Sequence, residues 1–195
     1  MKILLTGFDP FGGEVINPSW EAVKLVNAPD GCQLEKLLVP TVFGKSIDTV
    51  ATVIEDFHPD AVICVGQAGG RKAVTPERVA INLMDATIAD NEGFIPADLP
   101  VVAGGENALF ATVPVKAMVK AIQSAGIPGQ ISNSAGTFVC NQLLYGVLNL
   151  CKNRYPDIRA GFIHVPYLPE QAKQAFPSLT LPQMAAALEA ALSAL

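Results

Sequence analysis

Ala61-Val-Ile-Cys-Val-Gly66 is a short, unbroken apolar run, preceded by Pro59 and closed by glycines. A run of this length and composition predicts a central strand of a parallel sheet, buried on both faces. Towards the N-terminus, residues 44–57 repeat apolar side chains at helical spacing through Ile47, Val50, Val53, Ile54 and Phe57. Residues 32–39 read as a second strand, closed by Pro40. A helix from 18 to about 27 is announced by Asn17 as its cap and Pro18 at its first position. Residues 2–8 form another nearly continuous apolar run, a strand buried on both faces.

Towards the C-terminus, residues 66–71 predict a flexible loop and 78–85 an extended segment. From 86 to about 111 the chain carries Asp, Asn, Gly and Pro without a clear period. This is the longest irregular stretch, of the kind that builds or covers sites. A helix follows over 113–125, with Pro114 at its start and Gly126 past its end. A short strand then begins at Gln130, a helix at Cys140, a strand over 160–167 and a last helix over 182–195. The alternation predicts an α/β fold, a mostly parallel sheet with helices on both faces, in one domain over 1–195. Functional loops in such sheets lie beyond the carboxyl ends of the strands. Four fall there: 8–13, 67–77, 136–140 and 164–167.

Half of the 195 residues are hydrophobic and 16% are charged, which suits a doubly covered sheet and an apolar subunit contact. A net charge of -5 with no block of Lys or Arg argues against a nucleic acid or a membrane surface as partner. The N-terminal apolar run is too short for a signal peptide, and no apolar segment approaches the length of a membrane span. Four cysteines, at 32, 64, 140 and 151, show no metal-ligand spacing. A reduced, cytoplasmic protein with free thiols and no metal is expected.

Cys140 stands at the first turn of a helix, where unpaired N–H groups and the dipole favour a thiolate and can hold an oxyanion. It reads as a nucleophile. His58, between a helix and Pro59, reads as a surface turn residue. His164 lies near the carboxyl end of an apolar strand. Alone it reads as a core histidine; beside a helix-initial cysteine it becomes the candidate base. Glu77 and Asp90 are the candidates to orient its ring, although Glu77 could instead pair with Arg78 in solvent and Asp90 could serve a turn. Cys64 and Cys151 read as small core residues. Gly44-Lys-Ser46 lacks the first glycine of a P-loop, since position 39 is Val39, and no dinucleotide fingerprint is present. Phe8, Phe11, Phe138 and Val139 read either as core or as the apolar wall of a small-ligand site.

Four segments resemble those of the pyroglutamyl peptidase I (pyrrolidone-carboxylate peptidase) family, in the same order. They are Thr6-Gly-Phe-Asp-Pro-Phe-Gly-Gly13; Gly66-Gln-Ala-Gly-Gly-Arg71 with Pro76-Glu-Arg-Val-Ala-Ile-Asn82; Ile131-Ser-Asn-Ser-Ala-Gly-Thr-Phe-Val-Cys-Asn141; and His164-Val-Pro-Tyr-Leu-Pro-Glu-Gln171. The resemblance implies a three-layer α/β/α sandwich with a central twisted sheet. It implies Cys140 as nucleophile, His164 as general base and then acid, and Glu77 as the active-site acid. Phe8, Phe11, Phe138 and Val139 would line the pyroglutamyl pocket, with Gln67 close by. The substrates implied are peptides with N-terminal pyroglutamate, cleaved without metal or organic cofactor by a homo-oligomer, a tetramer or dimer. In one place the chain departs from the pattern: Ala86-Thr-Ile-Ala-Asp90 stands where Ala-Arg-Ile-Pro-Asp is expected, so Thr87 supplies no guanidinium. The competing readings are a nucleoside-phosphorylase-like transferase, with phosphate in glycine-rich loops, and a binding protein without turnover.

Overall fold

A computed structural model describes residues 1–172 and 176–195. Its main sheet has five strands in the order β2-β1-β3-β7-β4. β1 (Lys2–Phe8), β2 (Gln33–Val39), β3 (Ala61–Gln67) and β7 (Arg159–Val165) are parallel, and β4 (Thr75–Pro76) is an antiparallel edge beside β7. The apolar run at 61–66 is indeed the middle strand. Every residue from Ala61 to Gly66 is buried.

Alternation along the strands sorts the core into two halves. Ile3, Leu5, Ile63, Val65, Ile163 and Val165 point to one face, covered by α1 (Pro18–Leu25), α3 (Val115–Ser124) and α5 (Leu181–Leu192). Leu4, Val62, Cys64, Ala160 and Phe162 point to the other, covered by α2 (Lys45–Phe57) and α4 (Val139–Arg154). The result is the three-layer α/β/α arrangement. The caps follow local chemistry: Asn17 Oδ1 accepts from Ser19 N at 3.1 Å to start α1, and Thr180 with Gln183 forms a capping box for α5.

Three segments differ from the sequence expectation. Only Val79–Ile81 of the extended segment 78–85 is a strand, β5. It pairs antiparallel with β6 (Ala108–Phe110), which lies inside the stretch read as irregular. The segment starting at Gln130 forms no regular strand. It meets the 74–77 segment through two isolated bridges, Val74 with Gly129 and Glu77 with Ser132. The cause is Pro76. Val74, Gln130, Ser132 and Arg78 all donate across this parallel contact, but the bond between them belongs to residue 76, which has no N–H.

After β1 the chain passes to β2 at one side, and after β3 it passes to the other side of the sheet. The carboxyl ends of β1 and β3 therefore flank a topological switch point, where α/β sheets open a crevice.

Candidate active site

Cys140 is the second residue of α4, whose cap is the extended Phe138. Asn141 fixes this helix start: Oδ1 accepts from Ile81 N at 3.0 Å, and Nδ2 donates to Ile81 O at 2.9 Å and Leu83 O at 3.0 Å. The thiol is thereby pressed onto β3. A Cβ built on Gly66 would lie 2.8 Å from Cys140 Sγ and 2.8 Å from Phe162 Cζ, so only glycine lets the sulfur approach the sheet here. His164 is the register partner of Gly66 on the neighbouring strand, and its ring packs on Phe162 with centroids 4.7 Å apart. The thiol and the imidazole thus line one cavity from the same face of the sheet.

Glu77 follows β4 and is fully buried. Its Oε1 accepts from His164 Nδ1 at 2.7 Å and from Arg71 Nη1 at 2.6 Å. Burial works to raise the Glu77 pKa, but hydrogen bonding from His164 and Ser132, with the Arg71 guanidinium, holds it below the ordinary carboxylate value. An ionised carboxylate only accepts, so Nδ1 carries the proton and Nε2 keeps its lone pair. Burial pushes the His164 pKa down against the pull of Glu77. The Cys140 thiol goes the other way, up to about 12, because burial and the Glu77 charge outweigh the Arg71 guanidinium. The helix start favours the anion, and burial opposes it.

A cavity of about 310 Å³ opens over this pair. Phe8, Phe11, Gln67 and Phe138 line it, together with Cys140 and His164. Val139 does not. As the first residue of α4 it is fully buried in the core beneath, so the expectation that it lines the pocket is corrected. Asp90 is also elsewhere: its carboxylate accepts from the N–H groups of Phe43, Glu92 and Phe94 at 3.0, 2.9 and 2.9 Å. Glu77, not Asp90, holds the His164 ring. His58 is the exposed, left-handed cap of α2, and Cys64 and Cys151 are buried in the core.

Sequence reading missed several cavity residues. Asn17 and Thr41 reach it from the β1 and β2 ends, and Arg71, Ser134 and Gly136 from the loops. Arg71 closes a quoted motif and was the most findable, since a cation beside a buried carboxylate has a reason to be there. Among the described residues, no three His, Cys, Asp or Glu side chains are grouped to hold a metal ion, and no helix is long and apolar enough to cross a membrane.

A thiol at a helix start, beside an imidazole oriented by a carboxylate at the switch point of a parallel sheet, is the arrangement of a cysteine hydrolase. The sequence model described as pyroglutamyl peptidase matches residues 1–195. Relatives named pyrrolidone-carboxylate peptidase are 54% identical in Clostridium perfringens, over 100% of this chain and 93% of theirs, and 52% in Streptococcus pyogenes, over 100% and 92%. The crystal structure of Bacillus amyloliquefaciens pyroglutamyl peptidase I superposes with a TM-score of 0.95 at 50% identity, covering 99% of this chain and 96% of that one. A mutant pyrrolidone carboxyl peptidase from Pyrococcus furiosus gives 0.94 at 40%, covering 99% and 97%. The chain belongs to the pyroglutamyl peptidase family.

Proposed function

We infer that this chain is a cysteine peptidase that removes an N-terminal pyroglutamyl residue from peptides through an acyl-enzyme, with Cys140, His164 and Glu77 as its catalytic residues. The observation that carries the reading is the Cys140–His164–Glu77 arrangement opening on a small cavity walled by phenylalanine rings. A pyroglutamyl group is a compact neutral lactam, so carboxylates that recognise an ammonium would be useless to it. Phe8, Phe11 and Phe138 supply apolar contact, and Gln67 supplies an amide suited to the lactam polar edge.

Proton transfer from thiol to imidazole accompanies attack. His164 Nε2 takes the Cys140 proton as Sγ bonds to the carbonyl carbon that joins pyroglutamate to residue two. The carbonyl oxygen becomes an oxyanion facing the start of α4. There the first helical bond is made by Gln142 N to Phe138 O at 3.1 Å, and the preceding N–H groups are left for other acceptors. As the C–N bond breaks, His164 gives its proton to the departing amine. Water then attacks the thioester and loses a proton to His164, and the C–S bond breaks to release pyroglutamate and restore the thiol. Glu77 keeps the proton on Nδ1 throughout. No step calls for a metal or organic cofactor.

Along with this reading we place the activity in one domain over 1–195, in the cytoplasm and in a homo-oligomer. Exposed apolar side chains such as Val15, at 93% exposure, and Phe110, at 68%, favour a subunit contact. The test is release of a fluorogenic amine from a pyroglutamyl amide. The native chain turns it over, and Cys140→Ala lowers kcat by about 10⁴-fold or more with its circular dichroism unchanged. Turnover that persists in the variant removes Cys140 from the mechanism.

A further inference from the structure

Arg71 takes no part in the chemistry above, yet its guanidinium ties the cavity together. Beyond β3 the chain turns at Gly70, whose φ of +84° favours glycine, and this turn brings Arg71 back over the sheet edge. Nη1 donates to Glu77 Oε1 at 2.6 Å and to Thr75 Oγ1, and Nη2 donates to Ser134 O at 3.0 Å. The side chain is 26% exposed and lines the cavity.

Two features set this apart from a surface ion pair. Arg71 and His164 share one oxygen, Glu77 Oε1, while Oε2 has no hydrogen-bond partner among the described residues. A carboxylate facing His164 alone would draw the imidazole towards its charged form, and a shared one draws it less. The second feature is the Ser134 carbonyl. It also accepts from Ser132 Oγ at 3.0 Å, and it begins the segment through Ala135, Gly136 and Phe138 that walls the cavity ahead of Cys140. One planar fork therefore spans the residue that orients the base and the loop that shapes the acyl site. A lysine, as a point charge, could not span both.

We propose that Arg71 is a positioning residue for the hydrolysis: it holds Glu77 and the 134–138 wall in one geometry and so presents His164 to Cys140 as a base rather than as a cation. The proposal rests on the function inferred above. Among the described residues, the titratable groups facing the Cys140–His164 pair are Glu77 after β4, Cys64 on β3 and Arg71, its single cation. That cation holds both the His164 and the Cys140 pKa down, so removing it moves both up.

The experiment compares the native chain with R71M and R71K in two assays. One is turnover of a pyroglutamyl amide. The other is alkylation of Cys140 by iodoacetamide across pH, followed by the mass of the Cys140 peptide, which needs no substrate. Absence of native turnover would sink the functional reading alone, and the alkylation profile would still judge Arg71. For R71M, kcat is expected to fall about 100-fold with little change in KM, and the alkylation limb to move to higher pH. R71K is expected to keep the limb near its native position while recovering roughly a tenth of native kcat or less. Native kcat in R71M, an effect confined to KM, or an alkylation limb that stays in place in both variants would each overturn the proposal.

Discussion

Glu77 and Asp90 are both enclosed by protein, at 0% and 5% exposure, and both are held below the ordinary pKa of their type. What encloses them differs. Asp90 sits among backbone N–H groups from Phe94, Phe43 and Glu92, which outweigh the opposing effect of burial. These amides have no second protonation state, so the carboxylate does nothing but hold the 90–94 turn against the segment after β2. Glu77 is held by side chains, one of which carries a movable proton. Burial and a lowered pKa alone therefore do not mark a functional carboxylate. The chemistry of the partner does.

The largest expected effect comes from neutralising each in turn. Glu77→Gln removes the acceptor that keeps the proton on His164 Nδ1, and kcat/KM for a pyroglutamyl amide should fall by about 10³–10⁴-fold. Asp90→Asn should leave kcat/KM within a few-fold and instead cost about 1–3 kcal/mol of stability in urea unfolding, because an amide nitrogen now faces N–H donors. A rate loss in Asp90→Asn matching that of Glu77→Gln would break the distinction.

The pH dependence of stability sharpens it. His164 has a depressed folded pKa, so the unfolded chain binds its proton more readily. Its contribution is complete above the ordinary value of 6.5 and is lost as pH falls towards the folded value. Glu77 and Asp90 behave likewise below 4.5 and 3.8. Since Glu77 holds the His164 pKa up, Glu77→Gln should widen the gap and steepen the fall in unfolding midpoint just below pH 6.5. Asp90→Asn should leave that window alone and change only the acid end. Identical profiles for the two variants would mean that Glu77 does not govern His164.

Much of this was legible in the sequence, for identifiable reasons. Ala61–Gln67 announced itself because a doubly buried strand must be apolar throughout. Cys140 and His164 were readable because each stands at a position fixed by local pattern, a helix start and a strand end. β6 was hidden, because three residues with only Leu109 buried carry too little periodicity. The segment after Gln130 was misread because a proline on the other side of its contact breaks the ladder, and neither strand declares that alone. The choice between Glu77 and Asp90 stayed open because it depends on a contact between β4 and β7, which sequence spacing does not encode. The same holds for Arg71, whose partners come from two segments far apart in sequence, 75–77 and Ser134, and for the thiol, whose raised pKa follows from packing rather than from its place on the helix.

Thr87 gives the smallest expected effect and the finest test of the comparison. It stands three residues before Asp90, where the family resemblance implies arginine, but it is exposed and does not line the cavity. The cation of the site is already supplied by Arg71, and the Asp90 turn is held by backbone amides that a new side chain at 87 would not replace. Thr87→Arg should therefore change kcat/KM for a pyroglutamyl amide by no more than about twofold, the scale of an ordinary surface substitution. A tenfold rise would mean that a guanidinium at 87 reaches the reacting groups when substrate is bound. The Asp90 turn would then belong to the working site, and its carboxylate would have to be treated as a second anchor for positive charge rather than as a tie for its own loop.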